Sequence, residues 1–190
     1  MEEIMANPLN VVVLLGSLRK GSYNRIIAQA LPGLAPADMT VTLLPSIGTF
    51  PLYDADLQAQ GIPAVVTEMG DAIRKADGII IVTPEYNYSI PGGLKNAIDW
   101  FSRLSEQPFA GKPLAIQSAS MGAIGGARAQ YHLRQTLVFL DAHILNKPEV
   151  MVGVVQNKVN ADKGTLEDED TRKHIAGQLQ SFADFIRRLG

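Results

Sequence analysis

Three short stretches carry the residue types that could do chemistry, and each follows an apolar run. Gly16-Ser-Leu-Arg-Lys-Gly-Ser-Tyr-Asn24 gathers two glycines, two serine hydroxyls, an Arg, a Lys and an Asn. Backbone N–H groups of a tight loop opening a helix point at an anion, and Ser, Asn and Arg add directed hydrogen bonds, so these are the parts of a phosphate cradle. Asn24 also suits the cap of the following helix. The plain alternative is a Gly/Ser turn with a solvated Arg and Lys. Two nucleotide fingerprints do not fit. Gly16 and Gly21 have P-loop spacing, but Ser22-Tyr23 stand where Lys and Ser or Thr belong, and Lys20 precedes the second glycine. No Gly-x-Gly-x-x-Gly turn follows the first apolar run, so a monophosphate fits better than either.

The second stretch, Thr83-Pro-Glu-Tyr-Asn-Tyr-Ser-Ile-Pro-Gly-Gly93, offers two tyrosines and an amide between two prolines. Such a rim suits a flat aromatic ligand: turn amides bond ring heteroatoms, Tyr rings lie beside the ring system, and the prolines limit the entropy lost on binding. The competing reading has Tyr86 and Tyr88 closing the core. The third stretch, Ser118-Ala-Ser-Met-Gly-Ala-Ile-Gly-Gly126, is uncharged and could contact a ring edge or be a flexible connection.

The elements around these stretches decide whether they can meet. Asn10–Leu15 and Ile79–Val82 are continuous apolar runs of the kind buried on both faces of a parallel sheet; Val41–Leu44, Pro113–Gln117 and Ile144–Val152, interrupted by Pro148, are further strand candidates. Helical spacing recurs from Asn24 to about Leu34, with Pro32 ending or kinking the last turn, and over Ala64–Lys75, Leu94–Leu104 and Ala127 to about Leu140. The clearest amphipathic helix carries Ile175, Leu179, Phe182, Ile186 and Leu189, with Glu167-Asp-Glu-Asp170 at its start, where acidic groups favour the helix dipole. Pro45–Pro63 is left open, as a functional loop or one holding a short helical turn. Five strands alternating with five helices predict an α/β fold: a flavodoxin-like, three-layer doubly wound sandwich with a five-stranded parallel sheet of order 2-1-3-4-5. Its ligand crevice lies at the carboxyl ends of strands one, three and four, where all three stretches begin.

The 190 residues, 46% hydrophobic and 19% charged, predict one globular domain over 1–190. A net charge of -2 is not the footprint of a general nucleic-acid binder. With no Cys, thiolate nucleophiles, Cys-ligated zinc and iron–sulfur clusters are excluded. That removes a low-molecular-weight phosphatase, and Gly16-Ser17 and Thr83-Pro84 stand where a phosphate-accepting receiver would carry carboxylates. Met1-Glu-Glu-Ile-Met5 leads into no signal-type stretch, and the uncharged runs Met39–Tyr53 and Pro113–Ala127 are too short to span a bilayer, so a cytoplasmic protein without membrane insertion is expected. His132, His143 and His174 show no metal-ligand spacing, and Trp100 and Phe101 read as core or subunit interface.

A phosphate cradle and an aromatic-lined loop at one switch point describe a site for flavin mononucleotide, FMN. Gly16–Asn24, the longer run Pro84-Glu-Tyr-Asn-Tyr-Ser-Ile-Pro-Gly-Gly-Leu-Lys-Asn-Ala-Ile-Asp-Trp100 and Ser118–Arg128 resemble the signatures of the NADPH-dependent FMN reductase family, most closely its bacterial chromate and quinone reductases. The resemblance runs from about Asn10 to Leu189. It implies that Ser17, Arg19, Ser22 and Asn24 hold the FMN phosphate, that Pro84, Glu85, Tyr86 and Asn87 flank the isoalloxazine, and that Ser118, Ala119 and Ser120 contribute from the third loop. It also implies NADPH or NADH as co-substrate, quinones and as a side activity chromate as acceptors, and homodimers often paired into tetramers, for which Arg128, Tyr131 and His132 are plausible interface residues.

No acid/base pair stands out, so no essential catalytic side chain is expected; binding, orientation and backbone hydrogen bonds to the reduced ring suffice. The rival reading is a flavodoxin-like FMN electron carrier without direct nicotinamide reactivity. If Arg19 holds the phosphate, Arg19→Ala weakens FMN binding by about 1.5–3 kcal/mol, the worth of a charge-assisted hydrogen bond; an unchanged dissociation constant in a fluorescence titration removes that role.

Overall fold

The computed structural model describes residues 7–190, so Met1–Met5 and the expectation attached to them lie outside the described residues. Five strands run parallel in the order β2-β1-β3-β4-β5, from β1 (Leu9–Leu15), β2 (Met39–Leu43), β3 (Gly78–Thr83), β4 (Pro113–Ala119) and β5 (His143–Ile144). The doubly wound order is the expected one. The fifth strand is not continuous. Its second half, β6 (Val150–Val152), pairs with the far end of β4 and makes the sheet six-stranded. Pro148 accounts for the break: it has no N–H for the ladder, and its carbonyl instead accepts a bond from Gln178 Nε2 at 2.7 Å.

The connecting helices are α1 (Tyr23–Ala30), α2 (Ala55–Ala59), α3 (Ala64–Lys75), α4 (Gly92–Phe101), α5 (Ala127–Val138) and, after a small hairpin of β7 (Val159–Asn160) and β8 (Thr165–Leu166), α6 (Glu169–Leu189). The helix starting near Asn24 stops sooner than its apolar spacing suggests, and Leu31–Gly33 continues as a 3-10 turn around Pro32. The open segment holds both a 3-10 turn at Ile47–Thr49 and α2. Asn96 Nδ2 and Trp100 Nε1 both donate to Pro51 O at 2.9 Å, tying that segment to α4.

Although β1 and β3 read as unbroken apolar runs, alternation survives in three dimensions. Val11, Val13, Leu15, Ile80 and Val82 pack with α1 and α6, while Leu14, Ile79 and Ile81 pack with α3, α4 and α5. Trp100 and Phe101 are fully buried in the second layer, which settles them as core. Along α6, Ile175, Leu179, Phe182 and Ile186 are buried as spaced, whereas Leu189 in the last turn is 44% exposed. Among the described residues no helix is long and apolar enough to cross a membrane.

The acidic cluster at the start of α6 works as a cap. Asp168 Oδ1 accepts from Thr171 N at 2.9 Å and from the Thr171 hydroxyl, with Glu169 and Asp170 in the first turn. The hydroxyl bond first, then the amide bond, hold the Asp168 carboxyl below its ordinary range. A depressed folded-state value means stability that is present above the unfolded value of about 3.9 and is lost as pH falls through the folded one. Asp168→Ala therefore lowers the thermal midpoint at pH 7, and melting curves of variant and wild type converge as the pH drops below 4; a gap that persists in acid contradicts the cap.

Candidate functional site

Parallel pairing brings the three loops to one edge. Leu15 is in register with Val82 and Thr83 with Ser118, so the chain leaves β1, β3 and β4 at the same level, and Gly16 N donates to Val82 O at 2.8 Å. This close approach requires Gly16, because a Cβ there would lie 2.8 Å from Thr83 Oγ1. The N-termini of α1, α4 and α5 open at this edge, and Ser22, Pro91 and Gly126 at their starts supply no side-chain cap; the amides of Tyr23, Asn24, Gly92 and Gly93 find no acceptor among the described residues, whereas in α5 Ala127 N is bonded to Ile124 O and Ala129 N to Glu85.

In the first loop the amide of Ser22, bonded to Arg19 O at 3.2 Å, is the one between Ser17 and Asn24 that finds an acceptor among the described residues. Ser17 and Ser22 are buried while Arg19 and Lys20 are exposed, an arrangement of unpaired donors and exposed cations that suits a phosphate. Ser22, not Asn24, is the N-cap. The Asn24 side chain reaches β4: its Nδ2 donates to Ala119 O and its Oδ1 accepts from Ala119 N, both at 2.9 Å. Asn24 thus offers a phosphate its backbone N–H, while its side chain locks the first loop to the third.

The second loop is a tight turn in which Tyr86 and Ser89 exchange backbone bonds of 2.9 Å in both directions, with Asn87 and Tyr88 at φ of 51° and 64°. Positive φ at both central residues defines a type I′ turn; Asn tolerates it, and a tyrosine does so at a cost. Tyr86 and Tyr88 are 50% and 69% exposed, which overturns the reading that they close the core. Pro84 is buried, and Glu85 points along the sheet edge into the start of α5. Its Oε2 accepts from Ala129 N at 3.2 Å and its Oε1 lies 3.7 Å from Arg128 Nη1. The carboxylate therefore braces the loop against α5.

The third loop starts later than the sequence suggests, because Ser118 and Ala119 are still in β4, Ser118 in register with both Thr83 and Met151 and Ala119 with Val152. Ser118 Oγ donates to Gly125 O at 2.6 Å and accepts from Gln130 Nε2 at 2.8 Å, so its hydroxyl folds the loop back on itself. Gly126, at φ 89°, allows the return, since a Cβ would meet Ser118 Cβ at 2.9 Å. Ser120 is the first loop residue, with its amide on Val152 O and its hydroxyl accepting from Gly122 N.

Two further groups at this edge carry little signal in their residue types. Leu18, Met121 and Ile124 are exposed and, with Tyr86 and Tyr88, set an apolar rim on all three loops. Their signal was apolar residues inside Gly/Ser loops. Gln130, fully buried and donating also to Val150 O at 2.7 Å, holds the third loop through Ser118, and a lone glutamine on a helix gives no sequence signal for that. Donors without acceptors beside an apolar rim fit both halves of FMN: Ser17, Ser22 and Arg19 at the phosphate, and the 84–89 turn and Ser120 at the ring. Asn24→Ala strips two buried backbone groups of their partners, so it lowers stability by about 1–3 kcal/mol and weakens FMN binding together; urea unfolding and flavin titration that are both unchanged contradict the clamp.

A family model for NADPH-dependent FMN reductase matches residues 9–157. The chain is 61% identical over 186 residues to a quinone reductase of Escherichia coli (strain K12), covering 97% of this chain and 99% of that protein. It is 52% identical over 185 residues to an NAD(P)H-dependent FMN reductase of Pseudomonas aeruginosa, with the same coverage. Among solved structures, the flavoenzyme NAD(P)H:(acceptor) oxidoreductase FerB of Paracoccus denitrificans superposes with a TM-score of 0.85 at 38% identity, over 96% of this chain and 99% of that one. With the parallel sheet, the unpaired amides and the aromatic turn at one edge, these likenesses assign the chain to the NADPH-dependent FMN reductase family.

Proposed function

We propose that this single-domain protein is an NAD(P)H-dependent, FMN-containing quinone reductase of the cytoplasm, with chromate and related oxidants as secondary acceptors and a homodimer or homotetramer as its working form. The observation that carries the reading is the apolar rim. Of the large hydrophobic side chains exposed among the described residues, Leu18, Tyr86, Tyr88, Met121 and Ile124 stand on the three loops of one crevice, beside amides that lack acceptors. Exposed apolar groups gathered around hydrogen-bond donors are what a flat ring with a phosphate tail covers. Quinones are flat and apolar enough to occupy the same rim, and the relative from E. coli carries the name quinone reductase.

When bound, FMN would supply the redox chemistry of hydride acceptance and electron transfer. The chain's own part is to hold and orient. Ser17, Arg19 and Ser22, with the open amides of residues 17–24, neutralise the phosphate. Pro84, Glu85, Tyr86 and Asn87 fix the turn beside the ring, where the amides of Glu85 and Asn87, free of backbone acceptors, can bond its heteroatoms as negative charge develops. Ser118 and Ala119 act through the frame, and Ser120 edges the ring.

The test is anaerobic absorbance of the FMN-loaded protein before and after one equivalent of NADPH. Rapid bleaching, followed by reoxidation on adding a benzoquinone, is the expected result. Bound flavin that stays oxidised makes the chain an electron carrier, and failure to bind FMN overturns the site assignment.

A further inference from the structure

We propose that Val154, Met121 and Ile124 form a wall beside the flavin on which the apolar body of an uncharged quinone docks, and that this wall favours such acceptors over compact anions. The inference rests on the function proposed above, because the wall adjoins Ser120, placed there at the edge of the ring. Three backbone bonds tie the third loop to residues 152–155: Ser120 N to Val152 O at 3.0 Å, Val154 N to Gly122 O at 3.2 Å and Val155 N to Ser120 O at 3.2 Å. A Cβ on Gly153 would run into Ala123 O, so the two stretches of chain lie in contact.

Val154 is strained for little internal gain. At φ 49° it stands in the left-handed region, where a β-branched residue is an outlier and Asn or Gly would stand with less strain. Its side chain is 37% exposed, so burial offsets only part of that cost. Strained residues of this kind cluster at ligand clamps, where the surrounding structure holds them in place. Met121 and Ile124, on the loop tip to which Val154 is bonded, are exposed as well. No charged residue occurs in 118–126 or in 150–155. The crevice is thereby divided. Arg19 and Lys20 stand exposed on the first loop, where the phosphate is placed, whereas the third loop and its support present uncharged and mostly apolar groups. A compact anion finds no counter-charge there, and a fused aromatic ring finds apolar surface already fixed in place. The docked quinone takes two electrons and one proton, together a hydride, from the reduced flavin and a second proton from water, and leaves as the hydroquinone. An anion such as ferricyanide takes one electron per ion and needs no such wall.

The experiment uses wild type, Val154→Asn, Val154→Ile and Met121→Gln, each loaded with FMN and photoreduced without nicotinamide. Stopped flow then follows reoxidation by menadione and by ferricyanide. Asn suits the left-handed backbone, so Val154→Asn exchanges the side chain without threatening the fold. Val154→Asn and Met121→Gln each lower the menadione to ferricyanide ratio of rate constants by about fivefold or more, and Val154→Ile keeps it within about twofold of wild type. An unchanged ratio in Val154→Asn overturns the wall. So does an equal fold-change in the FMN dissociation constant, which assigns these side chains to the flavin, or a change of mass in light scattering, which assigns them to a second copy of the chain. Reduction by NADPH, run separately, tests the function proposed above: a flavin that NADPH leaves oxidised removes that reading, and the photoreduced flavin still decides the wall. A chain that binds no FMN overturns both.

Discussion

Two hydrogen bonds between the side chain of Asn24 and the backbone of Ala119 hold the working edge of this molecule together. They join residues 95 positions apart, at the point where β4 runs out of strand partners on the α1 side. A carboxamide presents a donor and an acceptor with the spacing of a peptide group, so Asn24 substitutes for one more step of sheet pairing. Without it the last peptide of β4 would be buried and unpaired, and the first and third loops would have no shared reference. The register of β1, β3 and β4 levels the three loops, and the Asn24 clamp then fixes the spacing between two of them.

Polar groups at this edge fall into two sets. Asn24, Glu85, Ser118 and Gln130 spend their hydrogen bonds inside the protein, on Ala119, Ala129, Gly125 and Val150. The amides around Ser17–Asn24 and in the 84–88 turn spend almost none. The first set is a frame, and the second keeps its donors open. Buried networks of this kind cost little when every member is satisfied, and they confer rigidity where the ligand will ask for it. Gln130 Oε1 and Gln117 Oε1, both buried without a partner, are the places where the frame is not closed.

Period and punctuation were enough to read the fold. Unbroken apolar runs, the 3.6-residue spacing of five helices and the glycines after β1 and β4 led to the doubly wound order, and the three site loops follow from that order alone. What failed to show was set by contacts distant in sequence. Nothing local says that β4 continues through Ser118 and Ala119; it does so because β6 arrives as a partner for Gln117–Ala119. The fifth strand looked like one interrupted strand because Pro148 could be placed in the chain but not relative to Gln178. Asn24 was readable as a polar residue at a helix start, yet whether it would cap that helix or cross to β4 depends on a residue in another loop. Leu18, Met121 and Ile124 were hidden for the opposite reason: apolar side chains are expected to be buried, and only a fold that leaves them out reveals them as a rim.

The same logic bears on the tyrosine that occupies a left-handed conformation in the exposed 86–89 turn. Tyr88 at φ 64° costs on the order of 1–3 kcal/mol relative to an unstrained residue. Two tethers from α5 offset it: Arg128 over the Tyr88 ring at 4.0 Å, and a 2.7 Å hydrogen bond between Ser89 Oγ and His132 Nδ1. Glycine would make the turn without strain, but it would leave the turn mobile and take away the ring. A strained, tethered turn has given up part of its conformational freedom before any ligand arrives, which lowers the ordering cost of binding there. Both tethers come from α5, the helix that Glu85 also grips through Ala129 N, so the shape of the turn is set by α5.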